Sequence, residues 1–183
     1  MSQSHPSPRQ PRHRAREVAL QVLYRFEAAE NSGPVPATIA GANRITPIKP
    51  TPNPTAQALA ISDELTKHFE HFEVPQPLRQ FVAELVAGTL RDLSELDALI
   101  EKHAVNWKVS RMAAIDRTIL RMGTFEMRHF PDIAYSITLD EAIELSKQYG
   151  TADSPSFING VLDSIRKTLP EKATAAFEPP SKK

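Results

Sequence analysis

No proline falls between residues 78 and 130 of a chain that carries 16 of them elsewhere, and the prolines that remain cluster at residues 6–11, 34–54, 75–77 and 131 and beyond. Proline breaks helices by removing an N–H donor and clashing with the preceding turn, so this distribution marks out where long helices can run. Within the proline-free stretch, Phe81, Val82, Leu85, Val86, Leu93, Leu96, Leu99 and Ile100 form one apolar stripe at helical spacing, about 30 Å long at 1.5 Å per residue. The spacing predicts a single long helix there. The pattern breaks at Asn106-Trp107-Lys108, and Met112, Ile115, Ile119, Met122 and Phe125 then begin a new stripe with Ser110 as its candidate cap.

The flanking segments read the same way. Val18, Ala19, Val22, Leu23 and Phe26 make an amphipathic helix of residues 12–30, and Leu59, Ala60, Leu65 and Phe69 a second one over 56–71. Thr138 and Glu141 have the spacing of a capping box and predict a helix that ends near Gly150, placed as a left-handed C-cap. Ser154 as N-cap and Pro155 at the first helical position open a final helix carrying Phe157, Ile158, Val161, Leu162 and Ile165. Gly160 lies inside it at a cost of about 1 kcal/mol relative to Ala, which predicts close approach by another backbone, whether a neighbouring helix or a ligand. Nothing insists on strands, so the fold class is all-α. The expected organisation is a basic, disordered arm at 1–11, one helical domain at 12–169 with a proline-rich inserted loop at 31–54, and a flexible tail at 170–183.

Composition narrows the function. The 22 Lys and Arg offset 22 Asp and Glu, so no global basic field announces a nucleic-acid binder. Cysteine is absent, which removes disulfides, thiolate metal sites and a cysteine nucleophile, and suits a reducing, cytoplasmic setting. No apolar run approaches the ~18 residues of a membrane span. Nucleotide-binding, α/β-hydrolase and zinc-protease motifs are missing. His68 and His71 with Glu64 lack a further convincing ligand, Asp140, Glu141 and Glu144 suit the first turn of a helix, and His103 and His129 sit near helix ends where a protonated ring favours the dipole. No metal, cofactor or catalytic centre is expected. What stands out is Arg9, Arg12, Arg14 and Arg16 ahead of the first acid, Glu17. Guanidinium forks grip phosphates and stack on unpaired bases, yet a basic terminus also serves solubility alone.

Four ordered segments carry a family likeness. Arg12-His13-Arg14-Ala15-Arg16-Glu17 with Ala19 to Tyr24, the run from Phe81 to Gly88, the run from Ile115 to Met122, and Asp140 to Lys147 leading to Phe157-Ile158-Asn159-Gly160-Val161-Leu162-Asp163 resemble the NusB family of bacterial transcription antitermination factors. The resemblance implies two small packed helical bundles. It also implies a protein that joins the ribosomal protein NusE on boxA RNA of nascent ribosomal transcripts and takes part in the RNA polymerase antitermination complex, without catalysis. By matching positions, Arg12, Arg14, Arg16, Phe157 and Asn159 would meet RNA, and Tyr24 and Asp116 would belong to the NusE surface. Phe157 and Asn159 could equally pack the last helix against the first.

Departures from the family pattern are His13 within the arginine run, Ser156 where Lys is frequent, and the length of the 31–54 loop. Three or four ionic contacts then remain, and at a slope near 0.7 per contact a fourfold rise in salt should weaken RNA binding roughly 20- to 50-fold. A similar helical domain precedes the catalytic domain of a ribosomal RNA cytosine methyltransferase family, but about 14 residues after the last helix are too few for a cofactor-binding α/β domain, so no enzyme is expected. The remaining alternative is a protein-interaction module or homodimer without RNA contact. Equal RNA affinity with and without residues 1–16 would favour it.

Overall fold

A computed structural model describes residues 9–31, 54–71 and 74–172. In chain order the helices are α1 (Arg9–Asn31), α2 (Pro54–His71), α3 (Gln76–Arg91), α4 (Leu93–His103), a 3-10 turn (Val109–Arg111), α5 (Ala114–His129), α6 (Tyr135–Tyr149) and α7 (Ser154–Arg166). Among the described residues all regular structure is helical. The proposed arm and inserted loop fall largely outside those residues, although α1 begins at Arg9 and takes in the last three residues expected in the arm.

The centre is α5, in which 12 of 16 residues are buried. It packs on α1, α3, α4, α6 and α7, so five neighbouring helices share it. The expected stripe residues Val18, Val22, Leu85, Val86, Leu96, Ile100, Ile119, Met122, Ile158, Leu162 and Ile165 all lie in this core. Leu59 does not: it is 66% exposed. Ile61 and Leu65 face inward from α2, and Leu59, two residues before Ile61, points about 200° away from it.

The single long helix expected after residue 78 is in fact two. Asp92 leaves the helical region at φ −98°, ψ 14°, while its N–H still bonds Gly88 O and its carbonyl still accepts from Leu96 N–H at 3.0 Å. The apolar stripe runs on across this break because almost no residue is lost from the register. Asp92 is held by Arg91, whose Nε and Nη2 donate to its carboxylate at 2.7 and 2.9 Å, and it faces His129 Nε2 at 3.5 Å.

Four expected helix-end devices serve other purposes: the N-cap of α7 is Asp153, and Ser154, its first residue, accepts Thr151 N–H at 2.9 Å through Oγ. Ser110 belongs to the 3-10 turn, and the N-cap of α5 is Ala113. Arg117 reaches back from α5 to donate from Nη1 to the carbonyls of Val109 and Met112 at 2.9 and 3.1 Å, and so fixes that turn. Thr138 lies inside α6, which starts at Tyr135, and Gly150 has φ −93°, outside the left-handed region. A side chain at Gly150 would come within 2.6 Å of Ser154, so crowding at the α6–α7 junction explains this glycine. Gly160 is the converse: among the described residues a methyl group there would meet nothing within 4 Å. Beyond α7, Lys172 Nζ donates to the carbonyls of Phe130 and Ile133, each at 2.7 Å, anchoring the first residues of the expected tail on the α5–α6 turn.

Candidate RNA and partner surface

The arginines of α1 divide by burial. Arg12 is exposed and Arg14 half-buried. Arg14 Nη1 donates to Glu17 Oε2 at 2.7 Å. Arg16 is only 2% exposed and binds Glu126 of α5 in a two-pronged pair, Nε to Oε2 at 2.8 Å and Nη2 to Oε1 at 2.9 Å. Its guanidinium also lies 5.4 Å from the centre of the Phe81 ring. The expectation that Arg16 meets RNA is therefore corrected: an arginine with both prongs on a buried carboxylate has no fork left for phosphate. Its placement was readable in part, since Ala19, Leu20 and Leu23 stand three, four and seven residues on, which puts Arg16 on the apolar face.

The two residues of the supposed capping box complete this knot. Thr138 Oγ1 donates to Glu126 Oε1 at 2.6 Å, and Glu141 Oε2 meets His13 Nδ1 at 2.9 Å and Arg16 Nη1 at 3.7 Å. His13, which interrupts the arginine run, is thereby a bridge from α1 to α6. An open groove of about 850 Å³ lies alongside, lined by His13, Arg14, Glu17, Glu141, Glu144 and Lys147 among others. At its end Tyr149 donates to Glu17 Oε1 at 3.0 Å. Burial, then the neighbouring Glu17 charge, push the Tyr149 hydroxyl up to about 12. Burial also works to raise Glu17, but hydrogen bonds from Arg14 and Tyr149 outweigh it and hold the carboxyl below its ordinary value.

Tyr24 and Asp116 are both buried, at 4% and 8% exposure. Tyr24 sits one turn before Glu27, which bonds Arg117 Nε at 2.7 Å and also pairs with Arg121. Arg121 in turn grips Asp97 with two bonds of 2.6 and 2.7 Å, so α1, α4 and α5 are tied by one charged network. Burial, then Glu27, raise the Tyr24 hydroxyl above its ordinary value. Burial raises the Asp116 carboxyl as well, opposed by a hydrogen bond with Ser154 at the start of α7, and Asp116 Oδ1 has no hydrogen-bond partner among the described residues. Both side chains thus lie beneath the surface.

On α7, Asn159 and Ser156 are exposed and Phe157 is half-buried. The Phe157 ring lies against Trp107, centroids 5.7 Å apart and planes tilted by 58°. Phe157 thus turns toward the segment after α4, whereas Arg14 is joined to the C-terminal end of α6 through Glu17 and Tyr149. His103 and His129 also depart from expectation: burial, followed by the nearby charges Lys102 and Arg128 respectively, lowers both rings, so the neutral form is favoured over a dipole-stabilised cation.

The NusB family model matches residues 13–167. The chain belongs to the NusB family. Among its relatives, the transcription antitermination protein NusB of Desulfatibacillum aliphaticivorans is 34% identical over 164 residues, covering 90% of this chain and 95% of that protein. The NusB of Desulforapulum autotrophicum is 37% identical over 158 residues, covering 85% and 90% respectively. The solved structure of T. maritima NusB superposes with a TM-score of 0.63 at 25% identity, covering 86% of this chain and 91% of that one. A structure of the antitermination factors NusB and NusE in complex with dsRNA shares the fold, with a TM-score of 0.63 at 21% identity over 87% of this chain and 98% of that one. The family match takes in the Arg16–Glu126–Thr138 knot, the Glu27 network and the whole of α7. No helix among the described residues is long and apolar enough to cross a membrane.

Proposed function

We propose that this protein is a transcription antitermination factor that binds boxA-type single-stranded RNA together with the ribosomal protein NusE and promotes transcription of ribosomal RNA operons within the RNA polymerase antitermination complex. The observation that carries the reading is the NusB family match over residues 13–167, with relatives named as antitermination proteins over 85% and 90% of the chain. It works in the cytoplasm, by binding alone, with no catalytic step and no cofactor.

In this reading Arg12 supplies a phosphate contact, and Arg14 supplies another while Glu17 fixes its direction. Arg16 is a positioning residue, locking the start of α1 onto α5 and α6. Phe157 offers a ring for a base, and exposed Asn159 an amide with both donor and acceptor for a base edge. Tyr24 and Asp116 shape the NusE surface from below, through the Glu27 network and the first turn of α7.

The test is a titration of boxA RNA with the intact chain, with and without a purified NusE-type ribosomal protein, repeated with Arg12→Ala/Arg14→Ala. Deleting residues 1–16 would be a poor substitute because it removes the buried Arg16. Tight RNA binding that NusE strengthens and the double substitution weakens is expected. Binding of the ribosomal protein with no RNA affinity at any stage would refute the reading and favour a protein-interaction module.

A further inference from the structure

The least expected feature of the surface is the turn after α4. Val105 is 77% exposed and Trp107 52% exposed, and between them Asn106 adopts φ 66°, a left-handed conformation unusual for a residue other than glycine. Trp107 N–H closes the turn on Ala104 O at 2.9 Å. Tryptophan carries the largest apolar surface of any side chain, and here a tight turn holds it half outside a core that has room for its neighbours Ala104 and Val109. One side of the indole is met by Phe157. Despite that contact the residue stays half exposed.

On its own segment the charges have one sign in excess. Lys102, Lys108 and Arg111 are all exposed on the segment from the end of α4 to the 3-10 turn, against one acid, Glu101, which Lys108 Nζ approaches at 3.3 Å and which also accepts Val109 N–H at 2.9 Å. Burial against other protein would leave those cations to be desolvated or matched by acids. A nucleic acid supplies both halves of the complement at once, a π face for the ring and phosphates for the cations. On the α7 side, Asn159 is exposed and Gly160 has open space above it, which lets a sugar–phosphate backbone approach the helix surface closely.

We infer that Trp107 is an RNA-contacting residue, forming with Phe157 an aromatic platform on which an unpaired base stacks while Lys108 and Arg111 hold its flanking phosphates. The inference rests on the RNA-binding reading above, and adds to it a site on the α4–α5 connection that is separate from the arginines of α1.

Trp107 is the chain's single tryptophan, so its fluorescence reports on this position alone. The intact protein is titrated with single-stranded boxA RNA while its fluorescence and the anisotropy of labelled RNA are followed together. Stacking should quench the indole in step with binding and shield it from iodide. Trp107→Ala should weaken RNA binding about 5- to 150-fold, the range seen when a stacking aromatic is removed, and Trp107→Phe should restore most of it. Should RNA bind with the indole emission and iodide access unchanged, or Trp107→Ala bind with parental affinity, the platform is refuted while RNA binding by the family surface stands. Loss of NusE binding by Trp107→Ala with RNA affinity unchanged would assign the patch to a protein and equally overturn the inference. If the unmodified protein shows no RNA affinity, the failure lies with the proposed function itself.

Discussion

Replacing Arg16 with Ala should damage the fold, whereas replacing Arg12 should weaken RNA binding and spare the fold. Arg16 and Glu126 are 2% and 1% exposed, and the pair is joined by two bonds below 3 Å. Removing one partner of such a pair strands a charge in the interior, a loss of about 3–5 kcal/mol. The Phe81 ring beneath the guanidinium adds about 0.5–1 kcal/mol. Against the ~5–15 kcal/mol that holds a domain of this kind together, the loss is large. At a urea slope of about 2 kcal/mol/M the combined loss of about 3.5–6 kcal/mol moves the unfolding midpoint down by roughly 1.8–3 M. Arg12→Ala, by contrast, removes an exposed side chain and should change stability by no more than about 0.5 kcal/mol while weakening RNA binding. Substituting the knot as a unit, with Arg16→Met, Glu126→Leu and Thr138→Val, should recover most of the lost stability, because an apolar replacement leaves no stranded charge. Urea melts followed by circular dichroism measure all three. A loss under about 1 kcal/mol for Arg16→Ala, together with an RNA defect equal to that of Arg12→Ala, would refute the positioning role.

Gly160→Ala should stabilise the isolated protein by about 0.5–1 kcal/mol, since the site is helical and sterically open, and calorimetry of the two proteins checks it. Asp116 has a folded pKa raised by burial, so the fold favours its protonated form and that preference is lost as pH rises through the folded value; Asp116→Asn should therefore raise the urea midpoint at pH 7, with the gain vanishing below the ordinary value of 3.8. His103, lowered by burial, contributes stability that is present above 6.5 and lost as pH falls through its folded value, and His103→Gln should flatten the stability profile below 6.5. In a log–log plot of RNA affinity against salt, Arg12→Ala should reduce the slope by about 0.7 and the combined Arg16→Met, Glu126→Leu and Thr138→Val replacement should leave it unchanged, because only a group that displaces counterions from phosphate contributes.

The helices were legible because their apolar residues repeat at helical spacing and prolines fence them. Burial followed the same stripes except at Leu59, where one side chain falls on the wrong side of a correctly placed helix. The break at Asp92 was not legible: neither proline nor glycine marks it, and the stripe keeps its phase across it. The same limit applies to Thr138 and Glu141. Their spacing is that of a capping box, but what they bond to is Glu126 and His13, and no local pattern tells a cap from a long-range partner. Arg16 shows how function misleads, since three arginines in a row at alternate positions invite one role, while helical geometry turns each to a different direction. Trp107 was visible only as an interruption, and its exposure could not be known until the turn at Asn106 was seen.

The contact between α3 and α5 depends on Gly88, where a methyl group would fall 1.9 Å from Cζ of Phe125. Phe125 also stacks on His129 at 4.4 Å and meets Phe130 edge-on at 6.1 Å, so its ring has little freedom to withdraw. The two positions therefore act as a lock and its key in evolutionary terms. A relative with a larger residue at the equivalent of 88 is expected to carry a smaller one at the equivalent of 125, and neither change should arise and persist by itself.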